Sequence, residues 1–503
     1  MAKRLRFGLA LFCGVVVLLF LLVACARVAM PDGAFVSALE ADRDGSDQPT
    51  VHVTMSDDHL SAALDDYLDR NFSASRVPGL AVAVVSSKGV RYVATYGDVT
   101  DSSQTFVIGS LSKSFTGVCI MQLAERGLVR LDAPVSLYVP EYGLGDAVTV
   151  RDLLDQTSGL GYFSPLDDLG TQEGVGTFSY ANVNYDLLGR IVERVTGQSY
   201  ADYLHENVLD RLQMNDSSID GVEQGCASEA PGHRSWFGVY VADGFRHGTG
   251  DGAWGGPASG YIRSSVNDMA SYLRMYLNGG RDVLERGDID QTVRDCALLG
   301  DPDSAYAMGW FVCDDDGEPV MVHPGQVENY AAQMVVVPGR DLGIVVLTDC
   351  DDEIGDNEGF GQLADGVYSI AMGYEPQDVD AGGSLGTHAM LNLAYLVAVV
   401  AAAAPLALLR RWKAKWLRSS RPRLVLWLCV AFEHALLPLL IWCSSGQMGM
   451  RWHDFCDFYP EQGLVMTLVL GLLVAEGAAK VALALWDLRG RRKGDGSEEP
   501  AGS

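Results

Sequence analysis

Basic residues are scarce in this chain of 503 residues, in which 37 lysines and arginines stand against 65 aspartates and glutamates. The resulting net charge of −28 repels a phosphate backbone, which argues against nucleic acid as a partner. Cysteine is sparse as well, with ten residues and neither a CxxC pair nor a His/Cys spacing typical of metal ligation. The sequence therefore predicts no metal site.

Apolar residues are abundant, and they are unevenly placed. They make up 48% of the chain, which excludes global disorder, and four runs approach the ~20 residues needed to span a bilayer. The predicted spans are 7–25, 389–409, 424–443 and 464–486. Lysine and arginine cluster before the first span, between the second and third, and after the fourth, so the positive-inside rule places these clusters in the cytoplasm. Residues 31–388 are then predicted to lie outside a bacterial cell membrane, in a multi-pass protein.

These runs divide the chain into segments. We predict an N-terminal signal-anchor or lipoprotein signal (1–30), a linker (31–56), a folded domain (57–375), a second linker (376–388), three transmembrane helices (389–486) and a cytoplasmic tail (487–503). The LVAC motif ending at Cys25 is similar to a lipobox, so a lipidated Cys25 and an uncleaved anchor both stay open. In the folded domain, Cys119 falls on an apolar helix face, which leaves Cys226, Cys296, Cys313 and Cys350 as candidates for disulfides.

Periodicity inside the folded domain predicts strands near both of its ends. A helix is predicted over 57–72, a hairpin over 80–97, a strand pair over 330–338 and 342–349, and a closing helix over 359–372. Because the strands enclose a helix-rich middle, we expect an α/β (α+β) domain whose sheet joins the two ends of the segment.

Ser110 and Lys113 stand three residues apart at the predicted start of a helix that continues to Gly127. Residues at i and i+3 share one helix face, so the lysine amine can reach the serine hydroxyl. A neutral lysine can activate a serine nucleophile, and both desolvation and the positive end of a helix favour the neutral form. The spacing alone also suits a solvated pair at a helix start.

The sequence around this pair resembles the serine beta-lactamase and penicillin-binding-protein superfamily, in particular its class-C-like branch. The resemblance rests on FVIGSLSKSFTGV at 106–118, VTVRDLLDQTSGL at 148–160, FSYANVNYDLLG at 178–189, PASGYIRSS at 257–265 and HPGQVENY at 323–330. It covers about residues 57–373 and excludes the membrane spans. It implies a central antiparallel sheet flanked by helices, with a largely helical subdomain.

The second motif of this family has the form Y-x-N, which Tyr180 and Asn182 match. The tripeptide at 276–278 also fits this form, and the order of the motifs selects Tyr180. The resemblance implies that the Tyr180 phenol relays a proton with Lys113 and that Asn182 hydrogen-bonds the substrate.

The third motif, K-T-G or H-x-G in the family, corresponds to His323 and Gly325. The resemblance implies that His323 supplies a polar or charged donor beside the substrate and that Gly325 lets the substrate lie along the strand. It also implies an oxyanion hole made by the backbone N–H groups of Ser110 and Gln326. Gln156 stands where the family often has histidine.

The resemblance implies acyl transfer without a metal or organic cofactor. Ser110 would attack an amide or ester, such as a D-amino-acid peptide, a cell-wall peptide or a small ester, and membrane lipid would be the other partner. One alternative is a penicillin-binding sensor or scaffold with little turnover, whose output passes through the membrane region. A second places the activity in the membrane helices, where Glu476 and Lys480 lie i,i+4 as a structural or a functional pair.

Overall fold

The computed structural model describes residues 56–495 apart from 171, 173, 220–227, 249, 292–296, 300–303, 316, 418–422 and 448–449. The predicted span 7–25, nearly all of the first linker, and Cys25, Cys226 and Cys296 lie outside the described residues. The described chain divides into two compact units, one within residues 32–387 and one within 388–503.

Both units contain helices. They are α1 (Asp57–Ser75), α2 (Ser112–Glu125), α3 (Val150–Leu154), α4 (Asn182–Thr196), α5 (Tyr200–Leu204), α6 (Asp210–Leu212), α7 (Val266–Leu277), α8 (Arg286–Gln291), α9 (Glu358–Met372), α10 (Gly382–Ala407), α11 (Leu409–Leu417), α12 (Arg423–Ala431), α13 (Leu437–Gln447), α14 (Trp452–Phe458) and α15 (Pro460–Asp495). Shorter 3₁₀ or π turns cover Gly109–Leu111, Val135–Leu137, Pro140–Tyr142, His205–Leu209, Pro338–Arg340 and Phe432–Leu436.

The strands described belong to the first unit. They are β1 (Gly79–Ser86), β2 (Gly89–Gly97), β3 (Thr105–Val107), β4 (Ser218–Ile219), β5 (His233–Trp236), β6 (Val239–Val241), β7 (Ile262–Ser265), β8 (Ala297–Leu298), β9 (Ser304–Ala307), β10 (Trp310–Asp315), β11 (Glu318–Val327), β12 (Tyr330–Val337), β13 (Leu342–Thr348) and β14 (Cys350–Asp351).

An antiparallel sheet of eight strands is the centre of this unit, in the order β2-β1-β13-β12-β11-β10-β9-β8. β1 pairs with β13 from Leu80 opposite Thr348 to Val85 opposite Gly343. This pairing joins the N-terminal hairpin to the C-terminal strands, so the fold predicted from the sequence is confirmed. Two three-stranded sheets, β14-β5-β6 and β3-β7-β4, complete the strand arrangement of the described residues.

Continuous apolar sequence explains which strands are central. β12 and β13 are buried along their whole length and β1 in all but its last residue, whereas the edge strand β2 is mostly half-buried or exposed. Helices cover the sheet, with α7 packed on β1 and β13, and with α1 and α9 packed on each other. Between β3 and β4 the described residues form helices and turns, which corresponds to the helical subdomain.

Three helices of the described chain are long and apolar enough to cross a membrane, namely Gly382–Ala407, Leu424–Cys443 and Pro460–Asp487. They overlap three of the four predicted spans. α10 begins at Gly382, within the segment 376–388 that the sequence predicts to be a linker. Two carboxylates accept hydrogen bonds from the backbone at the N-terminus of α10. The Gly382 N–H donates to the Asp380 carboxylate (3.0 Å), and the Ser384 N–H donates to the Glu358 carboxylate (2.5 Å).

The predicted pair in the last span is present. Lys480 Nζ lies 2.7 Å from Glu476 Oε1, and both residues are buried. Lys480 Nζ also lies 2.8 Å from His434 Nε2 and 3.6 Å from Glu433. The pair is therefore part of a polar cluster that connects two of the apolar helices.

Candidate active site

Ser110 and Lys113 lie where a short 3₁₀ turn leads into α2. Ser110 is in the turn Gly109–Leu111, and Lys113 is the second residue of α2. Lys113 Nζ lies 3.0 Å from Ser110 Oγ, which is the contact expected from their i,i+3 spacing. The lysine is completely buried, whereas Ser110 is half-buried and can meet a ligand.

Two fixed oxygens also contact the amine of Lys113. Its Nζ lies 2.7 Å from Asn182 Oδ1, at the start of α4, and 2.7 Å from the carbonyl oxygen of Ser259. A charged amine donates to all three oxygens. A neutral amine donates its two hydrogens to Asn182 and Ser259, which leaves its lone pair directed at the Ser110 hydroxyl. The site can therefore hold a lysine that accepts a proton from serine.

Tyr180 stands beside this amine. The centroid of its ring lies 4.7 Å from Lys113 Nζ, and the side chain is 8% exposed. Of the two Y-x-N tripeptides, this one lies beside Lys113. In the other, the Tyr276 hydroxyl accepts from Trp310 Nε1 and Asn278 donates to the Ser87 carbonyl. A relay of protons through the Tyr180 phenol stays a prediction.

Glycines let the nucleophile turn approach strand β11. Gly109 has φ +57°, and a Cβ there would lie 2.3 Å from the backbone nitrogen of Gln326. A Cβ at Gly325 would lie 2.2 Å from the carbonyl oxygen of Ile108. The main chains around Ser110 and Gln326 therefore meet directly, as two backbone donors to one oxyanion require.

A family model for the beta-lactamase domain matches residues 60–364, which is more than half of the chain. The chain belongs to the beta-lactamase family. The resemblance drawn from the sequence motifs is thereby confirmed.

Relatives of this beta-lactamase domain occur in distant organisms. Protein flp of Staphylococcus aureus is 27% identical over 323 residues, which cover 58% of this chain and 63% of that protein. Beta-lactamase-like protein 2 of Dictyostelium discoideum is 23% identical over 340 residues, which cover 59% of this chain and 61% of the relative. The chain thus spans less than two thirds of the length of these curated relatives.

Solved structures share the fold of the beta-lactamase domain. The octameric penicillin-binding protein homologue of Pyrococcus abyssi has a TM-score of 0.53 and 24% identity, and the match covers 63% of this chain and 79% of that one. A class C beta-lactamase in complex with cefoxitin has a TM-score of 0.53 and 21% identity, with 63% and 99% covered. The predicted class-C-like fold is therefore correct.

His323 of the third family motif, for which the resemblance implies a polar or charged donor, is a buried side chain. Its side chain is 1% exposed, and Nδ1 lies 2.6 Å from the carbonyl oxygen of Pro324, so Nδ1 carries the hydrogen. Nε2 faces the Tyr306 hydroxyl at 3.3 Å and accepts from it. Burial and the nearby Lys113 lower the pKa of His323 to about 3. The imidazole is therefore neutral, and both its nitrogens are engaged by the protein.

Gln156 replaces the histidine common in the beta-lactamase family, and it is a positioning residue that the sequence did not reveal. It is completely buried. Its Oε1 accepts from the Ala181 N–H (3.0 Å) and from Asn184 Nδ2 (2.5 Å), on either side of Asn182. The Gln156 carbonyl oxygen also accepts from the Ser179 N–H (2.7 Å). One residue therefore fixes the segment that carries Tyr180 and Asn182.

Ser259 is a second residue without a predicted role. It lies in the PASGYIRSS motif, but its contribution to the site is a backbone carbonyl, for which the side-chain type gives no signal.

The sequence also did not identify the aromatic rings of Tyr162 and Trp254 as part of the site. The ring centroid of Tyr162 lies 6.0 Å from that of Tyr180 and 5.9 Å from that of Trp254. Together, Tyr162 and Trp254 form an apolar wall beside the site.

Proposed function

We propose that this protein is a membrane-anchored serine hydrolase that forms an acyl-enzyme at Ser110 and whose beta-lactamase domain lies outside the cytoplasm. The observation that carries the proposal is the environment of Lys113 Nζ, which faces two carbonyl oxygens and the Ser110 hydroxyl within 3.0 Å. This is the arrangement of a base that orients and activates a nucleophile.

In the acylation step, Ser110 Oγ attacks the substrate carbonyl while its proton passes to the neutral amine of Lys113. General-base catalysis of this kind contributes about 10²–10⁴-fold. The oxyanion that forms accepts from the backbone N–H groups of Ser110 and Gln326. The leaving group takes a proton from Lys113, with Tyr180 as relay, and water then releases the acyl group by the reverse sequence.

The walls of the site support the proposed class of substrate. The space beside Gly325 is occupied by Ile108 and Leu111 of the nucleophile turn, so the rings of Tyr162 and Trp254 are the apolar surface offered to a side chain of the substrate. His323 is neutral and buried, so it supplies no positive charge for a substrate carboxylate. We therefore expect amide or ester substrates, including D-amino-acid peptides, cell-wall peptides and small esters, whose recognition does not depend on an ion pair with this histidine.

The membrane side of the proposal rests on charge. Clusters of basic residues lie before the first apolar run, between the second and third, and after the fourth, which the positive-inside rule assigns to the cytoplasm, and residues 31–388 carry 56 acidic against 20 basic residues. Such a surface is compatible with small substrates and with anchoring in lipid, and it disfavours a polyanionic partner.

The experiment uses the full-length chain in detergent with a fluorescent penicillin and a fluorophosphonate, followed by intact-mass measurement. We expect one adduct per chain in the wild type and none in Ser110→Ala. Ser112→Ala is the matched control, because that hydroxyl lies at the same helix start but accepts from the Ile262 N–H (3.2 Å). It should still be labelled.

The lifetime of the penicillin adduct separates a hydrolase from a penicillin-binding sensor. Release within seconds to minutes supports the hydrolase, and an adduct that persists for hours indicates the sensor. If folded wild type takes up neither probe, or if Ser110→Ala is labelled equally, Ser110 is not the nucleophile and the proposal fails.

A further inference from the structure

Three residues from separate parts of the first unit meet at one end of the large sheet. Asp98 follows β2, His233 opens β5 and Asp349 follows β13. One potential ligand atom from each lies within 4.8 Å of the other two. None of them belongs to the site around Ser110 described above.

Asp349 is the unusual member of this cluster. Its side chain has no exposed surface, and within the described part of the chain neither carboxylate oxygen accepts a hydrogen bond from a side chain, although Oδ2 lies 3.6 Å from His233 Nδ1. By contrast, the buried carboxylate of Asp351 accepts from Asn357 Nδ2 at 2.9 Å. Burying a carboxylate without such partners is costly, so a cation bound in this position would stabilise it.

The hydrogen bonds of His233 decide which of its nitrogens is available. Nδ1 lies 2.9 Å from the backbone oxygen of Asp349, so Nδ1 carries the hydrogen and donates it to that carbonyl. The His233 N–H donates to the same oxygen at 2.8 Å, which fixes the ring to the Asp349 backbone. Nε2 then keeps its lone pair and lies 3.5 Å from Asp98 Oδ2. A ring held through one nitrogen with the other free to ligate is typical of metal-binding histidines.

We infer that Asp98, His233 and Asp349 form a binding site for a divalent transition-metal ion, with Zn²⁺ as the best match. Two carboxylates and one imidazole are hard and borderline ligands that suit Zn²⁺ and neutralise its charge. Ligand atoms at about 2.1 Å from a tetrahedral ion are roughly 3.4 Å apart, close to the 3.5 Å between His233 Nε2 and Asp98 Oδ2. Because the Asp98 side chain is 56% exposed, solvent can supply the fourth ligand.

The sequence predicted no metal because its ligands stand far apart along the chain and no two of them form a spaced motif. The fold brings them together: Thr348 pairs with Leu80 beside the end of β2, and Cys350 pairs with His233 between β14 and β5. A bound ion would connect the ends of β2, β5 and β13. Its first expected effect is therefore on the stability of the domain.

The test uses the full-length chain in detergent, purified through a tag without histidine and stripped with EDTA. It is titrated with Zn²⁺, and bound metal is counted by mass spectrometry of the dialysed protein. We expect one Zn²⁺ per chain and a Tm that rises with free Zn²⁺, because an ion bound only by the folded state stabilises it by mass action. Co²⁺ in place of Zn²⁺ should report the ligands through its visible absorption bands.

Two variants and a control separate this site from surface binding. Asp98→Asn changes a surface residue without threatening the fold, and His233→Asn keeps a donor near the position of Nδ1 while removing Nε2. Each should weaken Zn²⁺ binding by roughly tenfold or more. His205→Asn is the matched control, since His205 is a surface histidine 3.4 Å from Asp210 and belongs to no such cluster among the described residues. It should bind Zn²⁺ as the wild type does.

The inference is overturned if the wild type binds no Zn²⁺. It is equally overturned if folded Asp98→Asn and His233→Asn bind with the wild-type affinity, or if His205→Asn loses as much affinity as they do. Labelling of Ser110 is independent of these outcomes, so the two proposals stand or fall separately.

Discussion

Replacing Gln156 by alanine is the sharpest test of how the active site is positioned. The alanine keeps a Cβ at a position whose backbone φ is +61°, and it keeps the hydrogen bond from the Ser179 N–H to the backbone carbonyl of residue 156. It removes the side chain beyond Cβ, including Oε1, which accepts from the Ala181 N–H and from Asn184 Nδ2. The variant therefore loses two hydrogen bonds that hold the segment around Asn182, and it leaves a small buried space unfilled.

The expected loss of stability follows from the donors left behind. Each buried donor without an acceptor costs about 1–3 kcal/mol, so two cost roughly 2–6 kcal/mol. Asn182 Oδ1 holds Lys113 Nζ at 2.7 Å, and a displacement of about 1 Å in such a contact can lower a rate about 10²-fold. Gln156→Ala should thus lose both stability and rate of acylation.

The assay measures the rate of labelling by the fluorescent penicillin at a temperature at which every variant is folded, together with thermal unfolding in the same detergent. Gln122→Ala is the matched control. Gln122 is also buried on the described core, and its Nε2 donates to the carbonyls of Asn207 (3.0 Å) and Val283 (2.9 Å). It lies about 18 Å along α2 from Ser110 at 1.5 Å per residue. Gln122→Ala should lose stability and keep the labelling rate.

Two results would refute the reasoning. If Gln156→Ala unfolds at the wild-type temperature, the two hydrogen bonds do not contribute as the distances imply. If it loses stability but labels as fast as Gln122→Ala, Gln156 supports the fold without positioning Asn182.

The remaining predictions concern three other places. Gly109→Ala should lower acylation at least about 10²-fold with the fold retained in circular dichroism, since its Cβ would lie 2.3 Å from the Gln326 nitrogen; labelling at the wild-type rate would contradict this. The pKa of His323 is lowered to about 3, so between about pH 6.5 and 3 this histidine is protonated in the unfolded chain but not in the folded chain, and stability should fall as the pH drops through that range. His323→Gln should make that fall in Tm less steep in thermal unfolding. An unchanged slope would contradict a buried neutral imidazole. Lys480→Met should cost roughly 3–5 kcal/mol in detergent by leaving Glu476 buried without its cation, and adding Glu476→Leu should restore stability; neither change should affect the labelling of Ser110, as expected if the pair is structural.

Local patterns were sufficient for the central part of the fold. The two apolar strands on either side of Lys88 and the pair on either side of Gly339 form the hairpins that their alternation and turns predicted. The strands β8, β9 and β10 were not predicted, since short segments with mixed composition become strands only through their partners. The start of α10 was missed for a similar reason: glycine and serine at 382–384 favour coil, and the Glu358 carboxylate that bonds Ser384 N–H comes from a distant helix.

In the candidate site, too, contacts within one helix are predictable from the sequence, whereas contacts between distant segments are not. The contact between Lys113 and Ser110 follows from a spacing of three residues in one helix, so the sequence alone predicts it. The other two oxygens around that amine come from α4 and from the chain before β7, and one of them is a carbonyl that any residue could provide. Likewise, the sequence predicts a polar group at His323, but its neutrality depends on burial in β11 and on the nearby Lys113, which only the assembled fold decides. The sequence therefore predicts which residues carry the chemistry. The protonation and orientation that make these residues reactive are properties of the assembled fold, and Gln156→Ala and His323→Gln are designed to change those properties.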